Sequence, residues 1–397
     1  MSITVGRAGE ARRFAPPGLE LAVAGCAIAL LAGALAANQT WFDRHFLPLF
    51  AVPRPALIAA EQGLRACVLL AAILLLLIGR RPIARLLRRA SAGTILRLVL
   101  ACVLALGAAE LILRVHPLRP HDADPFELEP RRQPDPLLGW RFVPSRLATA
   151  QEGGRAVSYS FDAAGQRVPA PGETVDVARP TLVFTGESII AGFGLAWDET
   201  IPARAGAALG LQSANLAVSD YSNDQSTLRL KAELPRFQKP AAVVTLFMPS
   251  LLDRNLLVNR PHLGPGLSWQ PPAQQWRLAA LLHWLVPYRG TATIDQGILH
   301  TRDSLAAMVQ LACARGAQPL IVVPQFGDAS PVEDSLRRRV LDEAGLPYVR
   351  VKLDPAWHLP GDPHPDARGA RAIADALVAR LKLNAGPDGA GCKGNIR

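Results

Sequence analysis

Apolar residues are spread unevenly along this chain of 397 residues. In the first 115 residues they form three long stretches, at residues 19–37, 57–79 and 95–115. Each stretch approaches the ~20 residues that a helix needs to cross a hydrocarbon layer ~30 Å thick. The alternative is a set of buried core helices in a soluble protein, but almost nothing separates the three stretches. The pattern therefore predicts three transmembrane helices.

The second stretch is the least uniform of the three. Glu61, Gln62 and Arg65 lie in its first half, and its uninterrupted part, residues 66–79, is too short to cross a membrane alone. Residues 57–65 must therefore complete the span or face other helices.

From residue 179 onward, short apolar runs alternate with amphipathic stretches. The runs predict strands at residues 181–185, 213–218, 241–248, 319–325 and 348–353, and the stretches predict helices at residues 200–209, 224–237, 301–316, 331–345 and 366–383. Short continuous apolar runs are typical of parallel strands that are buried on both faces. Their alternation with helices predicts an α/β fold with a doubly wound parallel sheet of about five strands.

Two regions depart from this alternation. Residues 116–180 are rich in Pro and Arg, and short alternating pieces there predict a linker with a small β region. Residues 250–300 predict an insertion, and we expect Trp269, Trp276 and Trp284 to belong to its core. The predicted organisation is a membrane anchor (1–115), the linker and β region (116–180), the α/β domain (181–383, with the insertion at 250–300) and a flexible tail (384–397).

Charge predicts the orientation of the anchor. The first 115 residues contain thirteen arginines, no lysine and five acids, and so account for eight of the ten net positive charges. Three arginines precede the first apolar stretch and five lie between the second and third, but only two lie between the first and second. Because loops rich in Arg stay in the cytoplasm, the chain from about His116 onward should lie outside a cell inner membrane that it crosses several times.

Other readings of the basic and small residues are weaker. A cleaved signal peptide ending at "AGALAAN" would place the arginine-rich second loop outside the cell. No basic stripe with interleaved aromatic residues follows the anchor, so we expect no nucleic-acid partner.

The five cysteines fall into two groups. Cys26, Cys67 and Cys102 lie one in each apolar stretch, where cysteine acts as a small apolar residue. Cys313 and Cys392 could pair in an oxidising compartment, although the sequence does not require it.

The α/β region carries a serine directly after its first strand. Ser188 ends the stretch "TLVFTGES", and Asp362 and His364 lie after the last strand. Because ligands bind at the carboxyl ends of strands in such a sheet, both loops should open on the same face. A serine nucleophile needs a base such as an imidazole, which either Asp362 or a backbone carbonyl could orient. Without these partners, Ser188 would be read only as a helix cap.

Four stretches in chain order carry a resemblance to a known family. They are "FTGES" (184–188), "NLAVSDYSNDQ" (215–225), "LFMPSLLDRN" (246–255) and "GDPHPD" (361–366). At these residues the sequence resembles the SGNH, or GDSL-type, hydrolase superfamily. The resemblance implies a flavodoxin-like sandwich and ester or acyl-transfer chemistry without a metal or other cofactor. It implies a catalytic triad of Ser188, His364 and Asp362.

The sequence departs from the motifs of that family at three positions. Glu187 replaces the Asp of the first block. Asp220 stands where the second block supplies a Gly whose backbone N–H binds the oxyanion, and Ser250 stands where the third block supplies an Asn. The resemblance therefore implies an oxyanion hole formed by Ser188, Asp220 and Ser250 with altered donors. Loss of one such donor typically costs ~10²–10³ in rate.

Two sets of polar residues have competing interpretations. His358, with Asp362, His364 and Asp366, could be imagined as a metal site, but the loop has no recognised ligand spacing, so we expect no metal. Asp253 and Arg254 are interpreted as a surface ion pair.

Two hypotheses of function follow from these features. The first is a membrane-anchored extracytoplasmic serine esterase or acyltransferase whose substrate is an acylated envelope glycan or another ester. The second is a non-catalytic or nearly inactive domain of the same type, which binds envelope glycan or a partner protein of the envelope. The lipid bilayer is an expected partner in both.

Overall fold

The computed structural model describes residues 17–50, 52–116, 128–384 and 392. The chain divides into two compact units, one of residues 1–42 and 55–109 and one of residues 43–54 and 110–397. The second unit thus contains the segment between the first two apolar helices as well as the α/β domain. The tail predicted at residues 384–397 lies outside the described residues except at its first residue and at Cys392.

The described residues between 17 and 115 form five α-helices. They are α1 (Pro17–Ala36), α2 (Gln39–His45), α3 (Arg54–Leu74), α4 (Arg80–Arg89) and α5 (Ala92–Val115). A π-helical turn, Leu75–Gly79, joins α3 directly to α4, so the residues predicted as the second loop continue a helix. Among the described residues, three helices are long and apolar enough to cross a membrane, Gly18–Ala36, Arg54–Arg89 and Ala92–Val115. This finding confirms the prediction of three apolar spans.

The polar residues of the second span have partners inside the first unit. Glu61 is buried and accepts a hydrogen bond from Gln39 Nε2 at 2.8 Å. Arg65 Nε donates to the carbonyl oxygen of Ala34 at 2.9 Å. Glu61 and Arg65 therefore face the neighbouring helices α2 and α1. This is one of the two arrangements expected for residues 57–65.

The remaining elements alternate between strands and helices. The strands are β1 (Arg132–Asp135), β2 (Gly139–Phe142), β3 (Leu147–Glu152), β4 (Arg155–Phe161), β5 (Arg167–Val168), β6 (Pro180–Phe184), β7 (Gln212–Asn215), β8 (Lys239–Leu246), β9 (His262–Leu263), β10 (Trp269–Gln270), β11 (Gln318–Phe326) and β12 (Tyr348–Leu353). The helices are α6 (Ser188–Ala191), α7 (Ile201–Leu209), α8 (Asn223–Glu233), α9 (Arg277–Leu285), α10 (Thr291–Ala314), α11 (Pro331–Arg337) and α12 (Ala367–Asn384).

Local sequence signals mark several helix ends. Thr200 caps the N-terminus of α7 by accepting a bond from Ala203 N, and Gly210 ends that helix in a left-handed conformation. Ser222 and Gln225 form a capping box at the start of α8. Such caps satisfy backbone groups that the first and last turns leave without partners.

The main sheet has eight strands in the order β12-β11-β8-β6-β7-β5-β4-β3. The first five of these strands are parallel to one another, which confirms the predicted α/β class with a doubly wound parallel sheet. Strands β5, β4 and β3 extend the sheet as antiparallel neighbours. The region predicted as a separate small β region thus contributes three strands to the main sheet.

Side chains that alternate along the strands enter two cores. Leu182 and Val244 belong to the core that includes residues of α7 and α12, and Val183 and Val243 belong to the core that includes residues of α8, α10 and α11. Helices therefore cover both faces of the parallel strands, as the continuous apolar runs predicted.

A disulfide joins Cys313, near the end of α10, to Cys392, with 5.6 Å between the two Cα atoms. The sequence alone left this pairing open. Cys26, Cys67 and Cys102 are free and exposed on the apolar helices.

Candidate active site

Ser188 lies at the carboxyl end of β6, at the first position of α6. Its side chain is 5 % exposed. Glu187 caps this short helix, because its Oε1 accepts a hydrogen bond from Ile189 N at 3.1 Å. Gly186, with φ +152°, precedes the cap, and a Cβ there would lie 3.1 Å from a side-chain carbon of Ile190. The strand-to-helix turn therefore requires a glycine and presents the serine at the edge of the sheet.

The three residues of the predicted triad form one chain of hydrogen bonds. Ser188 Oγ lies 2.7 Å from His364 Nε2, and His364 Nδ1 lies 2.6 Å from Asp362 Oδ1. A carboxylate only accepts, so Nδ1 donates to Asp362 and the neutral ring leaves Nε2 able to accept the serine proton. The structure thus brings together three residues that are separated by up to 176 positions, in the arrangement that activates a serine.

Asp362 orients His364 by accepting two hydrogen bonds from it. Its Oδ1 accepts from the ring Nδ1 of His364 and, at 2.8 Å, from the backbone N–H of the same residue. Partial burial would raise the pKa of Asp362, but these hydrogen bonds hold that pKa below its ordinary value. Asp362 is therefore the charged orienting group, whereas no backbone carbonyl contacts Nδ1 among the described residues.

The loop after Ser188 is anchored by a buried arginine from the predicted β region. Arg167 is 2 % exposed, and its guanidinium donates to the carbonyl oxygens of Ala191, Gly192 and Leu195 at 2.8, 2.6 and 2.6 Å. Burial lowers the pKa of Arg167 to about 10, which leaves the group charged at neutral pH. The chain around Ser188 is therefore held by a cation from β5, which is separated from β6 by β7 in the sheet.

Two further groups hold the same loop at Gly194. Its backbone N–H donates to Glu152 Oε2 at 2.8 Å and to the Tyr159 hydroxyl oxygen at 2.9 Å. The Tyr159 hydroxyl also donates to Glu152, and its ring lies 4.2 Å from the guanidinium carbon of Arg167. Burial raises the pKa of Glu152, although the bonds from Tyr159 and Gly194 oppose that shift.

The loop that carries His364 is held mainly by its own backbone. The carbonyl oxygen of His364 accepts from Leu359 N at 2.9 Å, and Asp366 N donates to the carbonyl oxygen of Trp357 at 2.9 Å. Two aromatic rings cover the imidazole: the Phe193 ring centroid lies 4.4 Å from that of His364, and the Phe50 centroid lies 5.3 Å away at an edge-on angle.

Asp220 has an unusual backbone conformation for a residue other than glycine. Its φ is +68°, in the left-handed region that favours glycine. Its carboxylate accepts from Arg132 Nη1 at 2.8 Å, and its carbonyl oxygen accepts from Arg260 at 2.6 Å. Arg132 therefore balances the negative charge of the Asp220 side chain.

Ser250 is the second residue of the 3₁₀ helix Pro249–Leu256, which follows β8, and it is partly buried. In the part of the chain that the structure describes, it forms no hydrogen bond with Ser188 or His364. Its proposed role as an oxyanion donor stays a prediction, as do the roles of Ser188 and Asp220.

Arg254, four residues later, faces the nucleophile turn. Its Nη1 lies 3.4 Å from Glu187 Oε2 and 3.5 Å from the carbonyl oxygen of Tyr221. Asp253 instead pairs with Arg289 at 2.8 Å. The interpretation of residues 253 and 254 as an ion pair with each other was therefore wrong, because adjacent side chains on this helix point to different neighbours.

Glu187 also competes for the serine proton. Its Oε2 lies 2.5 Å from Ser188 Oγ, and a hydroxyl has one proton to donate. Ser188 can therefore point its proton to His364 or to Glu187, and Arg254 beside Glu187 makes that carboxylate a weaker competitor by supplying another partner.

The residues imagined as a metal site have other partners. His358 Nδ1 lies 2.7 Å from the carbonyl oxygen of Pro363, and its ring stacks on Phe326. Asp366 accepts from the backbone N–H groups of Arg368 and Gly369 at the start of α12. No group of three or more described His, Cys, Asp or Glu side chains has an arrangement that could hold a metal ion.

The sequence analysis gave no site role to several residues that contact this site, namely Phe50, Arg132, Glu152, Tyr159, Arg167, Phe193 and Arg254. Arg254 lies in the third motif, so that motif marked its neighbourhood without giving its role. Phe50 precedes the α/β domain by more than a hundred residues, and nothing in its local sequence points to His364.

No protein-family model matches this chain, and no curated protein matches it. Among solved structures it is similar to a GDSL-like lipase from Bacteroides thetaiotaomicron (15 % identity, 51 % of this chain and 88 % of that one, TM-score 0.32). It is also similar to an acetyl xylan esterase from the rumen bacterium Butyrivibrio proteoclasticus (14 %, 54 % and 66 %, TM-score 0.32). A third is a salicylyl-acyltransferase from a tetracycline biosynthetic pathway (16 %, 54 % and 58 %, TM-score 0.31).

Proposed function

We propose that this protein is a membrane-anchored extracytoplasmic serine esterase or acyltransferase of the SGNH type. The observation that carries the proposal is the continuous hydrogen-bonded chain from Ser188 Oγ through the His364 imidazole to the Asp362 carboxylate. Such a chain supplies the nucleophile, the base and the group that orients the base, and it needs no metal or organic cofactor.

The chemistry has two balanced steps. Ser188 Oγ attacks the carbonyl carbon of an ester while its proton passes to His364 Nε2. The tetrahedral intermediate then collapses, and the departing alcohol takes that proton. In the second step His364 deprotonates water or an acceptor hydroxyl, which attacks the acyl-serine and restores the Ser188 hydroxyl. Water as acceptor makes the protein an esterase, and a sugar hydroxyl makes it an acyltransferase.

The negative charge on the intermediate requires donors near Ser188. The backbone N–H groups of Ser188 and Asp220 follow β6 and β7, at the carboxyl ends of adjacent parallel strands. The Arg132 guanidinium holds the Asp220 carboxylate, which supports Asp220 N–H as a donor in spite of the acidic side chain. Ser250 would be the third donor.

An envelope glycan is the substrate that we favour. An enzyme anchored by three spans with its catalytic domain outside the membrane would work beside acylated glycans of the cell envelope. The disulfide between Cys313 and Cys392 supports an oxidising, extracytoplasmic location for the domain.

A second candidate function is binding without turnover. The 2.5 Å contact between Glu187 Oε2 and Ser188 Oγ favours it, because a proton directed to Glu187 is not available to His364. Such a domain would hold envelope glycan or a partner protein of the envelope.

Covalent labelling of the full chain in membranes separates the two candidates. A fluorophosphonate probe forms a phosphorus–oxygen bond with an activated serine and loses fluoride. We expect labelling of the parent, no labelling of Ser188→Ala, and normal labelling of Ser158→Ala, a control in which the changed serine is exposed on β4. A parent that does not label, although it is folded by circular dichroism, contradicts the catalytic proposal.

Orientation is tested separately with alkaline phosphatase fused at the C-terminus and at Arg89. We expect an active fusion at the C-terminus and an inactive one at Arg89, because alkaline phosphatase becomes active only outside the cytoplasm. The reverse pattern would contradict the extracytoplasmic location without bearing on the triad.

A further inference from the structure

A short segment of the insertion exposes an unusual amount of apolar surface. This interfacial segment, Trp276 to Arg289, contains helix α9, of which seven of nine residues are apolar and none is buried. Six large side chains stand between 46 % and 67 % exposed, namely Trp276, Leu282, Trp284, Leu285, Val286 and Tyr288. The sequence interpretation of these tryptophans as insertion core was therefore wrong. A contiguous apolar surface of this kind marks a contact with a partner or a membrane.

The first end of the interfacial segment is bonded to the last apolar helix. Glu110 Oε1 accepts from Arg277 N at 3.1 Å, and its Oε2 accepts from Leu278 N at 2.9 Å, so Glu110 caps α9. Glu110 lies five residues before the end of α5, the third candidate span.

The other end is bonded to the residues that follow the first candidate span. Arg289 N donates to the carbonyl oxygen of His45 at 2.8 Å, and His45 Nδ1 lies 2.9 Å from the carbonyl oxygen of Arg289. The rings of His45 and Tyr288 stack with centroids 5.0 Å apart. His45 ends α2, nine residues after the end of α1.

One attachment therefore joins the segment to the last turns of the third candidate span, and the other joins it to chain that follows the first. In the predicted topology, the end of the first span and the end of the third lie on the same side of the membrane. If these helices cross a membrane in that topology, a segment bonded at both points would lie near the membrane surface, with lipid beside its exposed apolar side chains.

We propose that residues 276–288 lie in the interface of the lipid bilayer as a membrane-contacting helix of the catalytic domain. Tryptophan and tyrosine are enriched at this depth because their rings are apolar while their N–H or O–H groups reach water. Leu278 and Leu281 of α9 are half-buried against the protein, whereas Trp284 and Leu285 are exposed on the helix, where lipid could cover them. The proposal rests on the membrane anchor and not on the ester chemistry.

Nitroxide depth measurements on the full chain test this contact. In vesicles of phosphatidylethanolamine and phosphatidylglycerol, single labels are placed at Trp284→Cys and Leu285→Cys in a chain whose Cys26, Cys67 and Cys102 are changed to alanine. Leu147→Cys is the aqueous control, because Leu147 is as exposed as Leu285 but lies on β3 at the far edge of the main sheet. Cys102, retained alone, is the control within a span.

We expect labels at 284 and 285 to collide more often with oxygen than with a water-soluble nickel chelate, as at Cys102, and the label at 147 to show the reverse. Water-like accessibility at 284 and 285, with Cys102 in lipid, overturns the proposal. So does immobilisation with both reagents excluded, which would indicate a partner protein or a second copy. If the label at Cys102 is also accessible to water, the assignment of α5 as a membrane span is wrong. The proposed membrane contact is then wrong as well, whatever the result of fluorophosphonate labelling. Leu282→Cys provides a second reading from the same helix.

Discussion

The two loops that carry the proposed triad are built in different ways. The loop after Ser188 is buried and is held by side chains from other strands, with Arg167 on three carbonyl oxygens and Glu152 and Tyr159 on Gly194. The loop of His364 is held mostly by its own backbone, and the Asp362 side chain is 30 % exposed. The nucleophile thus depends on the core of the fold, whereas the base depends on a local turn and a few side chains.

This difference separates two kinds of variant. Changes that disturb the Ser188 loop should cost stability, because they leave buried polar groups without partners. Changes in the His364 loop should cost activity with little loss of stability, because water can replace the lost contacts.

The largest expected effect is on catalysis, in Asp362→Asn. The asparagine cannot stabilise the imidazolium, so kcat/KM for an aryl acetate should fall by about 10²–10⁴; the change costs about 10⁴-fold in serine proteases, the known example of this effect. The thermal midpoint should stay close to that of the parent. Equal losses of activity and stability would remove the contrast between the two loops.

The next effect is on stability, in Arg167→Met. Three buried carbonyl oxygens lose their donor, which should lower the free energy of unfolding by roughly 3 kcal/mol in denaturant titrations. The matched control is Arg204→Met, since the half-buried Arg204 donates to a single carbonyl oxygen, that of Glu199. If Arg167→Met loses no more stability than the control, the Arg167 guanidinium does not hold the Ser188 loop in place.

A smaller effect is expected from the ring that reaches His364 from outside the α/β domain. Phe50→Ala removes one aromatic contact, worth about 0.5–1.5 kcal/mol, so kcat/KM should fall up to about tenfold. Phe46→Ala is the control, because Phe46 lies on the same segment but contacts Tyr288. If both variants lose the same activity, the segment acts as a whole and Phe50 has no special role at the imidazole.

The smallest effect is a pH dependence of stability that comes from Glu152. Burial raises the pKa of Glu152 above 4.5 in the folded protein. The protonated carboxyl therefore stabilises the fold at low pH, and this contribution is lost as pH rises through the raised pKa. Glu152→Gln should therefore gain stability relative to the parent between pH 4 and pH 7. Glu199→Gln should do the opposite, because hydrogen bonding to Arg155 lowers the pKa of Glu199. Melting curves across this range measure both, and parallel curves for all three proteins would contradict the assignment.

Much of the fold follows from local patterns in the sequence. The five parallel strands match the predicted runs to within a few residues, because a strand buried on both faces has to be apolar throughout. The three spans follow for a similar reason, since a helix in lipid needs a long apolar stretch. Ser188 and the pair Asp362 and His364 could be predicted because each follows a strand, and strand ends of a parallel sheet meet at one edge.

Other features were decided only by contacts between distant parts of the chain. Strands β3 to β5 join the main sheet through pairing with β7, which no local pattern specifies. Phe50 reaches His364 across 314 positions. Trp284 is apolar in any setting, and only the tertiary structure leaves it exposed at a segment tied to Glu110 and His45.

The physical reason is the range of the forces involved. Helix and strand periodicity, capping and turn chemistry act between neighbours in the chain, so a sequence determines them directly. The partner of a buried charge such as Arg167 or Asp220 is chosen by which groups the packed core brings within hydrogen-bonding distance. The sequence therefore determined the main elements and the three side chains of the proposed triad, and the tertiary structure decided what holds them in place.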